Sequence, residues 1–254
     1  MKLFYRQIGE GPPLIILHGL LGSSDNWMSV ARKLADNFTI YLLDLRNHGQ
    51  SPHSDVHDYP SMIGDLYEFV IDHNIPVASF LGHSMGGKVV MKFAIDFPDK
   101  IDKLIVVDMA PKIYKPKSKY LIEALMSIDI TKIKSREEAD ELLALKIKHK
   151  QIRQFLLKNL FRKDDMTFDW KLNLESLNKN LGTIGGYFTE KDKFTKETLF
   201  IQGANSNYIT DGDYPLIKRI FVNSEIIKIE GAGHWMHVEQ PDTVHDIITG
   251  FLSK

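Results

Sequence analysis

The chain has 254 residues, 43% of them hydrophobic and 26% charged, with a formal net charge of −1 at pH 7 and no cysteine. This is enough apolar material for one α/β domain with a large core and an inserted segment, and no second catalytic domain is needed. The charge balance offers nothing for nucleic acid, and no apolar stretch approaches the ~20 residues that span a bilayer, so stable membrane insertion is not expected. Met1 to Arg6 lack the apolar region of a signal peptide, and with no cysteine available for a disulfide the chain reads as cytoplasmic.

In chain order, the first clear strand is Leu14-Ile15-Ile16-Leu17, which runs into His18-Gly19-Leu20-Leu21-Gly22. A loop leaving an early strand in this way can aim a backbone N–H at a developing oxyanion, and Leu20 is the expected donor. His18 reads as a structural histidine that holds the loop. The strand Ile40-Tyr41-Leu42-Leu43 follows, ending in Asp44-Leu45-Arg46. The expected role of this pair is internal, with Arg46 pairing into the loops that carry His18 and Asp44 fixing the turn. His53 and His57 invite a metal reading, yet they lie in a turn-rich stretch without a third ligand at a recognisable spacing, so no metal site is expected.

The apolar run Val77-Ala78-Ser79-Phe80-Leu81 leads into Gly82-His83-Ser84-Met85-Gly86, and a helix-like stretch continues from Gly87 to Ala94. Strand, GxSxG turn and helix in that order form a nucleophile elbow. Glycines two before and two after the serine give the turn room where a Cβ would collide with neighbouring backbone. Ser84 is therefore the candidate nucleophile, presented at a helix N-terminus that favours negative charge. The backbone N–H of Met85 is the second candidate oxyanion donor.

The next buried strand, Lys103-Leu104-Ile105-Val106-Val107, ends in Asp108-Met109-Ala110-Pro111. Strand and helix alternation from Leu14 to about Asp108 indicates βαβ units and a parallel sheet. From Lys112 to Tyr187 the pattern turns helical, with a helix start at Ser135 before Arg136-Glu137-Glu138. This block carries 16 Lys and Arg against 10 Asp and Glu, so it is basic while the remainder is acidic, and an anionic substrate such as an acyl-coenzyme A thioester would be drawn to it. Its apolar residues Tyr114, Phe155, Leu156, Phe161 and Trp170 are expected to pack between helices. The expected organisation is a core of residues 1–111 and 188–254, with residues 112–187 inserted as a helical cap over the active site.

Strands resume at Thr198-Leu199-Phe200-Ile201, and the turn that follows, Gly203-Ala204-Asn205-Ser206-Asn207, holds no carboxylate. An orienting acid must then come from elsewhere. Asp108, at a strand's carboxyl end, is preferred, and Asp211 and Asp213 are the alternatives. After Ile226-Ile227-Lys228-Ile229 the loop Gly231-Ala232-Gly233-His234-Trp235-Met236-His237 precedes a helix-like stretch from Pro241 to Phe251. His234 is the expected general base. His237 reads as its neighbour.

Six stretches carry a family resemblance: HGLLGSSDNW from His18 to Trp27, DLRNHGQS from Asp44 to Ser51, GHSMGGK from Gly82 to Lys88, DMAP from Asp108 to Pro111, GANSNYI from Gly203 to Ile209 and GAGHWMHVEQP from Gly231 to Pro241. The chain resembles the α/β-hydrolases and, more narrowly, the bacterial YbfF-type esterases and their eukaryotic relatives. That resemblance implies a mostly parallel central sheet flanked by helices, an acid moved to the strand that ends at Asp108, and serine esterase chemistry on small-molecule substrates, acyl esters or thioesters, without a cofactor. Two other outcomes stay open on the same scaffold: a carbon–carbon bond hydrolase or lyase, and a catalytically silent binding protein.

Overall fold

A computed structural model describes residues 1–115, 118–182, 188, 189 and 191–254. Its elements in chain order are β1 (Tyr5–Ile8), β2 (Pro13–Leu17), α1 (Met28–Leu34), β3 (Thr39–Leu43), α2 (Tyr59–Asp72), β4 (Ala78–His83), α3 (Met85–Asp96) and β5 (Ile101–Val107). Then come α4 (Lys119–Met126), α5 (Arg136–Ala144), α6 (Lys150–Leu157), β6 (Leu160–Arg162), β7 (Phe168–Trp170) and α7 (Leu174–Asn180). The chain closes with β8 (Thr198–Gly203), α8 (Tyr214–Ile220), β9 (Ser224–Ile229), α9 (Met236–Glu239) and α10 (Pro241–Leu252).

Seven strands form one sheet in the order β1-β3-β2-β4-β5-β8-β9. Every neighbouring pair is parallel except β1 with β3. The inner strands carry apolar runs, Leu14 to Leu17, Phe80 to Leu81, Leu104 to Val107 and Leu199 to Ile201, because both faces are covered there, and successive side chains alternate between the faces. Ile15, Leu17, Phe80, Leu104, Val106 and Phe200 face the cluster under α2, α3 and α8. Leu14, Ile16, Leu81, Ile105, Val107, Leu199 and Ile201 face the cluster under α1 and α10. Each such side chain contributes about 1.5–3 kcal/mol on burial, so the sheet is the rigid platform of the molecule.

β1 departs from the sequence reading, which begins the strands at Leu14. With the mixed sequence Tyr5-Arg6-Gln7-Ile8 and half-exposed side chains, it holds the sheet edge by pairing with β3. Between β5 and β8 the chain leaves the sheet, and α4 to α7 pack on a third hydrophobic cluster around Ile122, Leu125, Leu143, Leu156, Leu160 and Leu177. This stretch is not helical throughout. Leu160–Arg162 and Phe168–Trp170 pair as an antiparallel hairpin, whose turn places Met166 at φ 68°. The expected cap boundary at Tyr187 lies outside the described residues.

Tyr114 also differs from expectation. It packs against the sheet-side cluster, and its hydroxyl donates to the Tyr208 carbonyl while accepting from the Ala110 N–H. No helix among the described residues is long and apolar enough to cross a membrane.

Candidate active site

The carboxyl ends of β2, β4, β5, β8 and β9 converge, as ligand-binding loops do in open α/β sheets. At the end of β4 the backbone turns into α3 through Ser84, held at φ 53° and ψ −115°. A non-glycine residue there costs on the order of 1–3 kcal/mol. The close packing that enforces the turn needs both flanking glycines: a Cβ on Gly86 would come within 2.5 Å of the His18 carbonyl, and one on Gly82 would overlap the Gly86 carbonyl. The Ser84 N–H donates to Val107 O at 3.1 Å.

His234 Nε2 lies 3.0 Å from Ser84 Oγ, and His234 Nδ1 lies 2.7 Å from Asp108 Oδ2. A carboxylate can only accept, so Nδ1 carries the proton and Nε2 is left to accept from the serine hydroxyl. Asp108 follows β5 at φ 48° and is fully buried. Two further donors converge on its carboxylate, the Gly203 N–H at 3.3 Å and the Ser206 hydroxyl. The alternative acids are engaged elsewhere. Asp211 pairs with Lys228 at 2.9 Å. Asp213 pairs with Lys112 at 2.6 Å and caps Thr210.

Around His234 the structure places residues to which the sequence reading gave no role. Tyr208 stacks on the imidazole with ring centroids 3.9 Å apart, and burial raises the pKa of its phenol, which keeps it neutral. Ser206 bridges Asp108 to the Tyr208 N–H. His83 donates from Nε2 to the His234 carbonyl at 2.9 Å. Tyr208 and Ser206 lie in the GANSNYI stretch, and the absence of a carboxylate from that turn was the available signal. His237 does not reach Ser84 in this arrangement. It is buried with its ring stacked on Trp27 at 4.5 Å.

Beside Ser84, the N–H of Leu21 donates to His48 Nε2 at 3.1 Å, and that of Gly22 to Gly19 O at 3.0 Å. The N–H groups of Leu20 and Met85 make no hydrogen bond among the described residues, so both remain available to an incoming oxygen. His18 donates from Nδ1 to Gly19 O at 2.8 Å and accepts at Nε2 from the Leu45 N–H at 3.0 Å, which ties β2's loop to β3's. Asp44 accepts from the N–H groups of Ser24 and Gln50. Arg46 departs from expectation. It turns away from the His18 loop to make a two-pronged ion pair with Asp65 on α2, at 2.6 and 2.8 Å.

Above Ser84 opens a cavity of about 290 Å³ whose walls include Leu20, Tyr120, Leu121, Phe155, Tyr208 and Trp235. Its apolar lining and small polar floor suit an acyl group more than a free ion. His53 stands at the surface near the Lys171 carbonyl. No group of three His, Cys, Asp or Glu among the described residues could hold a metal ion.

Burial keeps several of these histidines neutral. Desolvation, opposed by Asp44, lowers the pKa of His18, and desolvation with neighbouring imidazoles holds His48 and His83 well below 6.5. His57 falls to about 4, through burial and then Arg46, and His237 to about 3, through burial and then His234. The unfolded chain takes up these protons near pH 6.5 while the folded protein resists, so stability falls as pH drops below 6.5. Each histidine contributes up to about 1.4 kcal/mol per pH unit. Calorimetry between pH 7 and pH 5, above most carboxylate titration, should show Tm falling steadily. A flat Tm would contradict the neutral cluster.

The chain belongs to the α/β hydrolase fold family: the family model matches residues 12–241. Among curated relatives, it is 36% identical over 250 residues to the sn-1-specific diacylglycerol lipase ABHD11 of Danio rerio, covering 95% of this chain and 78% of that protein. It is 34% identical over 243 residues to esterase YbfF of Escherichia coli strain K12, covering 95% and 93%. Among solved structures, a marine microorganism esterase superposes with a TM-score of 0.96 at 46% identity, over 98% of this chain and 99% of that one.

Proposed function

We propose that the protein is a serine ester hydrolase acting on acyl esters or thioesters, with Ser84 as nucleophile, His234 as general base, Asp108 as its orienting acid, and the Leu20 and Met85 N–H groups as the oxyanion hole. The observation that carries this reading is the unbroken chain of hydrogen bonds from Asp108 through His234 to Ser84, set beside two unengaged backbone donors under an apolar cavity. Relatives named as an esterase and a diacylglycerol lipase support an acyl ester as the substrate.

In this scheme His234 Nε2 takes the Ser84 proton as Oγ attacks the carbonyl carbon, and the oxyanion settles between Leu20 and Met85. Asp108 stabilises the imidazolium without itself taking the proton. The leaving alcohol or thiol departs with the proton from His234, and a water deprotonated by the same nitrogen releases the acid and restores Ser84. Every group in these steps comes from the chain, the substrate or water. Residues 112–187 act as a lid over a core made of 1–111 and 188–254, and the excess of lysine and arginine on that lid favours substrates with an anionic leaving group, acyl-coenzyme A among them.

A fluorophosphonate probe followed by mass spectrometry of the labelled peptide tests the assignment. The expected label sits on Ser84, and labelling is absent from Ser84→Ala. A well-folded sample that takes no label on Ser84 would overturn the serine mechanism.

A further inference from the structure

The loop that carries Leu20 is fastened from two sides. The N–H of Leu21 is held by His48, a residue of the turn after β3 whose own Nδ1 donates to Arg46 O at 2.9 Å. The carbonyl of Leu21 is held by Asn159, which lies in the helical segment just after α6 and donates from Nδ2 at 2.8 Å. Leu21 is one of the few non-glycine residues at positive φ, 61°, a conformation that persists only where surrounding contacts over-determine it. Its side chain is 1% exposed and sits in the hydrophobic cluster of α4 to α7, not in either cluster of the sheet.

Asn159 is itself immobilised. It is 2% exposed, its amide also reaches Leu156 O at 3.1 Å, and its carbonyl accepts from the Lys171 N–H at 2.9 Å. The same segment is tied to the turn of His48 by Asn173, whose N–H donates to Asn47 O at 3.1 Å and whose side-chain amide donates to Asn47 Oδ1 at 3.2 Å. The peptide groups on both sides of Leu21 are therefore fixed, one by the core and one by the helical segment. The N–H of Leu20 belongs to the peptide group next to the one His48 holds and two along from the one Asn159 holds.

We propose that Asn159 is a positioning residue for the oxyanion hole: through the Leu21 carbonyl it makes the alignment of the Leu20 N–H conditional on the docked helical segment. The inference rests on the reading of Ser84 as nucleophile and of Leu20 as donor. It gives the segment a part in the chemical step in addition to shaping the cavity, because a donor displaced by a fraction of an ångström loses much of its hold on a transition-state charge.

Asn159→Leu and Asn159→Asp, both close to isosteric, remove the donor. With a short p-nitrophenyl ester, which makes little use of the cavity, kcat should fall about 10- to 100-fold. KM should stay within about twofold, and the Ser84 fluorophosphonate labelling rate should fall in step with kcat. Circular dichroism should remain native. If Asn159→Leu fails to fold, Asn159→Asp is judged by the same measurements. An unchanged kcat in a folded variant overturns the proposal, and so does a rise in KM with kcat preserved, since that would make Asn159 a substrate-binding residue. Wild-type protein in the same series separates the two readings. If it takes no label at Ser84, the serine mechanism itself fails, whereas wild-type labelling matched by undiminished labelling of the variants removes only the role of Asn159.

Discussion

Ser84→Ala is expected to lower kcat/KM for a p-nitrophenyl ester by about 10⁴- to 10⁶-fold while the protein keeps its fold. The loss is that large because in the proposed mechanism the serine hydroxyl is the bond-forming group, and its neighbours act only through it. Folding should be little affected, since among the described residues the Ser84 hydroxyl's one side-chain partner is His234 and alanine meets the same backbone strain at φ 53°. Ser84→Gly sharpens the test. Glycine accepts that conformation readily, so this variant should be as inactive as alanine yet more stable, by about 1 kcal/mol or more. Turnover by either variant near the wild-type rate would remove Ser84 from the mechanism. Loss of activity together with loss of fold in both would mean that the elbow, not the hydroxyl, had been tested.

How much of this arrangement the sequence reveals depends on the range of the interactions involved. The parallel sheet is legible because β2, β4, β5 and β8 each carry an apolar run buried on both faces, and the elbow is legible because its glycines answer a local collision. Asp108 stands out because it ends such a strand and because the turn after β8 has no competing carboxylate. What escapes is set by pairing across the chain. Arg46 finds Asp65 nineteen residues away, and Ser206 reaches Asp108 across ninety-eight. Tyr208 meets His234 only because β8 and β9 are neighbours in the sheet. Short elements escape for a different reason. β1 and the β6–β7 hairpin bury too little to leave an apolar signature, and backbone pairing defines them. His48 lies inside a recognisable stretch, but nothing in its composition says that its Nε2 will hold the loop after β2 through the Leu21 N–H.

Asp108→Asn is the second large effect, an expected fall in kcat of about 10³- to 10⁴-fold. The carboxylate accepts from three donors: the Gly203 N–H on Oδ1, and the Ser206 hydroxyl and His234 Nδ1–H on Oδ2. An amide cannot serve all three. With its nitrogen at the Oδ1 position it opposes the Gly203 N–H, donor against donor. With its nitrogen at the Oδ2 position it opposes His234, which must then move its proton to Nε2 and can no longer accept from Ser84. The first orientation keeps the His234 contact but loses the Gly203 one and the negative charge that would stabilise the imidazolium, and the second breaks the chain of hydrogen bonds on which the proposed general-base catalysis depends, although asparagine itself tolerates the backbone φ of 48°. Asp211→Asn and Asp213→Asn should each leave kcat within about threefold of wild type, because their carboxylates serve Lys228 and Lys112 and not the imidazole. The three variants share one chemical change at three places, so their order decides the assignment. If Asp213→Asn is the crippled enzyme and Asp108→Asn turns over normally, the acid of this site lies after β8, and the convergence of donors on Asp108 serves only to hold the β5–β8 turn.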